Sequence, residues 1–537
     1  MNEGREFWQK YCAFFDENFS EQLEYNQKKK EEYFEKWKKT KMARQLCPEG
    51  VKKFEDVPLT TYDDYPILHK FGKEIEKLEK TVPRNKGELW WDYYDTIGKQ
   101  VSPMLDGWMV DEYAFCAKTP GTTGKSKWYA HGESFQENIS ADGIAMMILV
   151  GSDGWGTTRL SPGDRYLNML APAPYIAGLG ATIFAGEFEL IPSPRVMDDI
   201  TNLRKKLSIA IKAVERGEKI DIVGGIVPSI KMVCDYFTKP DELYKDYYQS
   251  MKLGVAKVFL YLTYLRHKLV GRKYKKAKDI LPAKAVGCGG VGAKIYFNYL
   301  EEQFEIEPGH AYISTETGIS FLSPPERKKY LFPILRSCYF EWLTESGKIK
   351  GMNELSKNET YELVATPFGS MVVRFRMGDL FRVAGHRGDG LPYFEVEGRK
   401  TTMLDFFGYF RLSEVIVTDA MIEAGLQTSD KWCAQKVMEP KEHLLILMEN
   451  VWEISREKAE RRIFEALRTV LPDFQSYVND FGIKSPSKIL EVEYLRKGAF
   501  MRYSMRRMKE GVPLGQIKLP KVVPEEKRKL ADLLREV

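Results

Sequence analysis

The sequence predicts an α/β protein of two unequal parts. A large N-terminal domain of layered sheets and helices spans residues 1–399, with a helical lead-in over 1–45, and a smaller, mobile α+β domain spans 400–537. Three observations predict it. Between about 110 and 400, short apolar runs end in Gly, Ser or Thr clusters and alternate with longer helical stretches, as in FCAKTPGTTGKSK, RYLNMLAPAP, IDIVGGIVPSI, AKAVGCGGVG and HAYISTETGIS. Strand, small-residue loop and helix in repetition mark layered α/β sheets, whose ligands lie beyond the carboxyl ends of the strands. After Arg399 the texture shifts to a shorter mixture of helix and strand. Finally, 537 residues with 43% hydrophobic and 29% charged side chains supply a core large enough for more than one domain.

Taken in order, the lead-in places Trp8, Tyr11, Phe15 and Phe19 at three- and four-residue spacing, an aromatic helix face that docks on the body. The run KKKEEYFEKWKKTK at 28–41 mixes charge signs and reads as a solvated helix face. Residues 48–70 read as turn-rich and extended. YELVATPFGSMVVRFRMGDLFRV reads as an antiparallel hairpin turning at 367–370. Beyond 399, a helix at 412–425, a strand at HLLILME, a charged helix near 453–470 and a strand at KILEVEYL make the small unit.

Composition excludes several classes. Lys+Arg 81 against Asp+Glu 76 leaves a net charge of +5, too weak a field for a nucleic-acid binder held by bulk charge. The seven cysteines (Cys12, Cys47, Cys116, Cys234, Cys288, Cys338 and Cys433) are odd in number and show no CxxC spacing, so a reducing compartment is expected rather than a disulfide framework. No run of 18 uncharged apolar residues and no signal-type h-region occurs, so no membrane span and a cytoplasmic location are expected. His69, His131, His267, His310, His386 and His443 lack metal-ligand spacing and are expected to be structural or at the surface.

The strongest chemical segment is TPGTTGKSK at 119–127. Gly121 and Gly124 let the backbone fold tightly, Thr119, Thr122 and Thr123 offer hydroxyl donors, and Lys125 and Lys127 offer charge. That combination cradles phosphate. A P-loop kinase or NTPase requires Gly five residues before Gly124, where Thr119 stands, so that class is the remote alternative.

The same segment resembles the TSGTTGKPK loop of adenylate-forming enzymes, departing at Pro120 and Ser126. Tyr312-Ile-Ser-Thr-Glu316 resembles their YGxTE motif, Phe375-Arg-Met-Gly-Asp379 their YRTGDL, and Gly398-Arg399 the pair that opens their interdomain hinge. Tyr339-Phe-Glu-Trp-Leu343, YELVAT…RFRMGDLFRVAGH, LPYFEVEGRK and the C-terminal GAF…GQIKLP more closely resemble the auxin-responsive GH-three family of acyl acid–amido synthetases, over roughly 50–525. The resemblance implies an enzyme that binds ATP·Mg²⁺ and a carboxylic acid, forms an acyl-adenylate with loss of pyrophosphate, and passes the acyl group to an amine, or to coenzyme A as in acyl-CoA ligases.

It also implies roles. Thr119, Gly121, Thr122, Thr123, Gly124, Lys125 and Lys127 would hold the β,γ-phosphates. Tyr312 would pack on adenine, Thr315 meet a phosphate, Glu316 hold Mg²⁺, Asp379 accept from the ribose hydroxyls, and Arg399 complete the nucleotide site. Tyr175, Gly289 and Gly290 would line the acid pocket, which PYIAGLGATIFAG at 174–186 suggests is apolar. Lys518 would be the mobile cation of adenylation, with Lys497 and Lys521 as neighbours. Thr401 and Asp405 depart from the hinge residues of the superfamily. The basic cluster at 266–278 could meet a coenzyme A phosphate but reads first as a solvated helix end. A catalytically dead relative would be expected to have lost Glu316, Asp379 or the C-terminal lysine, and all three are present.

Overall fold

The computed structural model describes residues 3–119, 127–170, 173–193, 203–241, 261–262, 264–265, 274–289, 296–400, 403–406, 410–426, 431–438, 442–450, 453–509, 521–523 and 529–536. Three helices open the chain, α1 (Glu3–Asp16), α2 (Phe19–Trp37) and α3 (Lys41–Leu46). Trp8, Cys12 and Phe15 of α1 are fully buried, and Phe19 is buried at the start of α2, so the aromatic stripe docks as expected. Asn18 ends one helix and starts the next: its side chain accepts from the Glu21 N–H while Glu21 reaches back to the Asn18 N–H.

The charged run at 28–41 is not a fully solvated face. Helical periodicity puts Lys30, Tyr33, Phe34 and Trp37 on one side of α2, and all four are buried. The Lys30 ammonium lies 3.0 Å from Glu55 Oε1 and over the rings of Phe54 and Tyr339, so its stem packs inward while its charge is paired. Residues 48–70 are extended apart from two short turns of 3₁₀-helix, and from Pro66 they are helical. The proline takes the first position of α4 (Pro66–Thr81), where its missing N–H costs no bond.

After α5 (Trp90–Val101), β1 (Tyr113–Lys118) and β2 (Trp128–Gly132) form a two-stranded antiparallel ribbon, followed by α6 (Glu133–Val150). The central layer is a seven-stranded sheet. Its members are β3 (Arg165–Leu167), β4 (Glu189–Ile191), β5 (Ile222–Ile226), β6 (Ala285–Gly289), β7 (Gly309–Ser314), β8 (Gly318–Leu322) and β9 (Phe332–Pro333). They lie in the order β4-β3-β5-β6-β7-β8-β9; the first five are mutually parallel, and β8 runs antiparallel to both its neighbours, β7 and β9. The crossovers carry α7 (Ile176–Phe184), α8 (Leu203–Glu215), α9 (Val227–Thr238) and α10 (Phe297–Phe304). α6 lies on this sheet, and Val150 sits where a Cβ on Gly309 or Gly287 would point. The small residues let helix and sheet approach.

A second sheet has the order β11-β10-β12-β13-β14, all antiparallel, from β10 (Cys338–Leu343), β11 (Ile349–Lys350), β12 (Thr360–Pro367), β13 (Phe375–His386) and β14 (Pro392–Arg399). The expected hairpin is the β12–β13 pair, with a longer connection than a tight turn at 367–370. One apolar core joins α1, α2, α6, this sheet and the β8–β9 edge of the central sheet, where Phe15 lies edge-on to Phe332 at 5.3 Å. Within it Asp142 is fully enclosed but answered by Arg336 Nε at 2.8 Å and the Ser337 hydroxyl at 2.5 Å. Arg336 also donates to the Tyr11 carbonyl, tying α1 to the body. A buried charge with this many partners is tolerated where an unpaired one would not be.

Beyond Arg399 come β15 (Leu404–Phe406), β16 (Phe410–Leu412), α11 (Glu414–Glu423), β17 (Trp432–Val437), β18 (His443–Glu449), α12 (Arg456–Val470), α13 (Pro472–Asp480), β19 (Leu490–Leu495), α14 (Ala499–Lys509), β20 (Val522–Val523) and α15 (Lys529–Glu536). The four-stranded sheet here has the order β19-β18-β17-β20. Helix, strand, helix and strand thus appear where the sequence places them. Among the described residues, no helix is long and apolar enough to cross a membrane.

Candidate active site

The carboxyl end of β7 carries Thr315 and Glu316 into a tight turn before β8. Ser314 and Thr317 hydroxyls bond each other at 2.8 Å and the Thr317 N–H donates to Ser314 Oγ, which fixes the turn. Gly318 closes it at φ 67°, a conformation that a side chain would strain. The turn rests on β2. Tyr129, fully buried, donates its hydroxyl to Glu316 Oε1 at 3.1 Å. Two residues on, His131 lies on the same face of β2, stacked on Phe135 at 4.0 Å.

Asp379 arrives from the other sheet. Between the pairs Val364–Arg376 and Glu362–Leu380, three residues of β13 stand opposite the single Leu363 of β12. This bulge, with Gly378 at φ 71°, turns Asp379 out of the ladder, the use that bulges commonly serve beside functional sites. Across the next pairing Asp379 lies opposite Arg399, which follows Gly398 at φ 111°. Tyr312 donates to Asp379 Oδ2 at 2.6 Å and Arg399 Nε donates to Oδ1 at 3.0 Å.

Two tyrosine–carboxylate pairs, Tyr129–Glu316 and Tyr312–Asp379, therefore lie within electrostatic reach of one guanidinium. Burial pushes both tyrosine hydroxyls well above their ordinary range, and the neighbouring carboxylates push them further. The Asp379 charge, followed by Tyr312 and Glu316, holds Arg399 protonated more firmly than usual. Both tyrosines are thus donors at any physiological pH.

Tyr312 and Asp379 already have protein partners. The Tyr312 ring is set edge-on to Phe321 and Phe381, at 5.9 and 5.1 Å, while its hydroxyl orients Asp379. Each Asp379 oxygen already has a protein donor, so a ribose hydroxyl would use its remaining lone pairs.

Gly121, Thr122, Thr123, Gly124 and Lys125, expected to hold phosphate, lie outside the described residues, as do Gly290 and Lys518. The base of the loop is described. Thr119 N–H donates to the Lys127 carbonyl at 2.9 Å and Lys127 N–H donates to Thr119 Oγ1 at 3.0 Å, closing 119–127 across the ribbon. β2, and not a helix, follows this loop, which separates it from the strand–loop–helix arrangement of P-loop NTPases. The Lys118 N–H donates to the Pro174 carbonyl at 2.9 Å, which brings half-buried Tyr175 beside the ribbon. Among the described residues, a Cβ on Gly289 would meet nothing closer than the Gly225 carbonyl at 4.0 Å, and one on Gly225 nothing within 4 Å.

Among the described residues no group of three or more His, Cys, Asp and Glu side chains could cage a metal ion. Glu316 is one carboxylate held by one hydroxyl. That donor set fits Mg²⁺, which prefers one or two carboxylates together with substrate phosphates and water. Sequence reasoning missed Tyr129, while His131, expected to be structural or at the surface, is buried. The alternation along Trp128–Gly132 would place them on one face, but it does not say that Glu316 lies 187 residues further on.

No protein-family model matches the chain. Solved structures do. GH3.15 acyl acid amido synthetase in complex with 2,4-DB is similar with a TM-score of 0.64 and 17% identity, over 96% of this chain and 93% of that one. A second GH3.15 structure gives 0.62 and 17%, over 99% and 94%. 2-Hydroxyisobutyryl-CoA ligase in the postadenylation state, in complex with 2-HIB-AMP, gives 0.55 and 12%, over 96% and 92%. The chain thus has the fold of the adenylate-forming ligases. Within that class, its fold is similar over nearly its whole length to that of the acyl acid amido synthetases.

Proposed function

We propose that the protein is an ATP-dependent ligase that activates a carboxylic acid as its acyl-adenylate and then joins the acyl group to the amine of an amino acid. The observation that carries this reading is the convergence of Glu316, Asp379, Tyr312 and Arg399, drawn from two sheets and placed around one cluster beside the base of the 119–127 loop. Short motifs matched by chance in a protein of another class would have no reason to meet there.

In the first step a carboxylate oxygen of the acid attacks the α-phosphorus of ATP, the α–β phosphoanhydride bond breaks, and pyrophosphate leaves. Two anions must be pressed together, so the protein has to neutralise charge and hold the reactants in line. Lys125, Lys127 and the threonines of the loop grip the β,γ-phosphates. Asp379, oriented by Tyr312 and Arg399, accepts from the ribose. Mg²⁺, when bound at Glu316, supplies neutralising charge to the phosphates. Lys518 bridges the carboxylate and the α-phosphate. In the second step the amine nitrogen attacks the acyl carbon, AMP leaves with the anhydride oxygen, and the amine loses a proton. A hinge at 399–400 lets the part beyond it exchange Lys518 for groups serving the second step.

The acid is apolar or aromatic, in keeping with the small and apolar residues of 174–186. A reducing, cytoplasmic setting fits the seven free thiols. Coenzyme A is the second acceptor to be tested, since the fold is also that of a CoA ligase. The test is pyrophosphate–ATP exchange across a panel of acids, then mass spectrometry of products formed with amino acids or coenzyme A. Amides with AMP release are expected. Thioesters would reassign the acceptor, and ADP release would remove the protein from this class.

A further inference from the structure

Tyr129 has no counterpart among the expected roles, yet its hydroxyl is the donor that reaches Glu316. The ring is buried to 1% exposure and wedged between Tyr62 at 5.2 Å and Phe375 at 6.3 Å. Its strand is held in turn: the Trp128 N–H donates to the Tyr62 hydroxyl, which donates to the Trp128 carbonyl at 3.1 Å. The Lys127 ammonium, at the base of the phosphate loop, lies 5.0 Å from the same Tyr62 ring. One short rigid strand therefore carries both the end of the loop and the donor to Glu316. Among the described residues, Tyr129 is the hydrogen-bond partner of Oε1, and Oε2 takes no hydrogen bond.

We propose that Tyr129 is a positioning residue for the cation of the adenylation reaction, orienting the Glu316 carboxylate so that its second oxygen is presented to a phosphate-bound divalent ion. A partner that orients a metal-binding carboxylate sharpens its geometry without touching the ion, and loss of such a partner commonly weakens metal binding about 10–100-fold. A surface glutamate without this bond would sample several rotamers and lose that entropy on binding. The inference rests on the ATP-dependent reading above and assigns a residue that reading does not use.

The test uses the full-length protein, a non-hydrolysable ATP analogue and Mn²⁺ as the probe. Tyr129→Phe keeps the ring and removes the hydroxyl. The expected result is an approximately tenfold rise in the Mn²⁺ dissociation constant of the protein–nucleotide complex, read by electron paramagnetic resonance, with metal-free nucleotide binding unchanged. In a Glu316→Gln background, adding Tyr129→Phe should change Mn²⁺ affinity no further, a coupling that simple loss of packing would not produce. Unchanged Mn²⁺ affinity in Tyr129→Phe, or equal weakening with and without Glu316, would overturn the assignment. Failure of the unaltered protein to bind the analogue with metal would instead overturn the ATP-dependent reading, and the assignment with it.

Discussion

His131 offers a test of the ground beneath the active site. Its ring is fully buried, stacked on Phe135 at 4.0 Å and tilted against Phe115 at 5.0 Å. Neither nitrogen makes a hydrogen bond of acceptable geometry among the described residues, although the Thr315 backbone lies close by. Burial lowers the pKa of this imidazole from 6.5 to about 3. Between those values the unfolded chain binds a proton that the folded chain refuses, so stability rises with pH and is lost as pH falls through 6.5. The loss approaches about 1.4 kcal/mol per pH unit and amounts to about 2 kcal/mol between pH 7 and pH 5. Replacement by Phe keeps an aromatic ring in the stack and removes the titration. Any constant packing penalty of His131→Phe cancels when each protein is compared with itself at two pH values. Urea unfolding followed by tryptophan fluorescence should therefore show the unaltered protein losing about 2 kcal/mol more than the variant over this interval. Parallel losses in the two proteins would refute a neutral, buried imidazole beneath Thr315.

Asp379→Asn keeps the shape of the side chain but removes the charge that holds Arg399 and Tyr312. Nucleotide affinity, titrated with a fluorescent ATP analogue, should fall about 10–100-fold, as for loss of hydrogen bonds to a charged group, and an unchanged constant would exclude the ribose role. Lys518→Ala should reduce pyrophosphate exchange by at least about a hundredfold, as for removal of one transition-state donor, while acyl transfer from supplied acyl-adenylate persists; equal losses would refute its assignment to the first step. Six of the seven cysteines are buried and Cys47 alone is half-exposed. An aromatic disulfide reagent at pH 8 should therefore label at most the Cys47 thiol before unfolding and all seven thiols after it. Faster labelling of several thiols in the native protein would contradict this core.

Local patterns were legible in the sequence, and distant pairings were not. Glu316 and Asp379 could be singled out because each stands in a short motif beside small residues, Glu316 just past the end of β7 and Asp379 at a bulge within β13. The aromatic stripe of α1 follows from a helical period that needs no partner to be recognised. The burial of Lys30 was hidden because a mixed-charge run reads the same whether or not one side of it packs. Glu55, Phe54 and Tyr339 decide the matter, and they come from elsewhere in the chain. Tyr129 was hidden for the same reason, its partner being fixed by the stacking of a ribbon on a sheet. The occupied oxygens of Asp379 depend on a bulge and a cross-strand register that no motif encodes.

Arg399 ends β14, and its guanidinium rests on Asp379 while its backbone leads directly into the segment toward β15. A swivel at the proposed hinge would carry that cation relative to the carboxylate. On that reading, the angle adopted by the trailing part of the polypeptide would be reported to the acid proposed to hold the sugar, and a nucleoside bound there would resist or favour particular angles in return. Turnover and shape change would then share a single mechanical degree of freedom, with one side chain as its bearing.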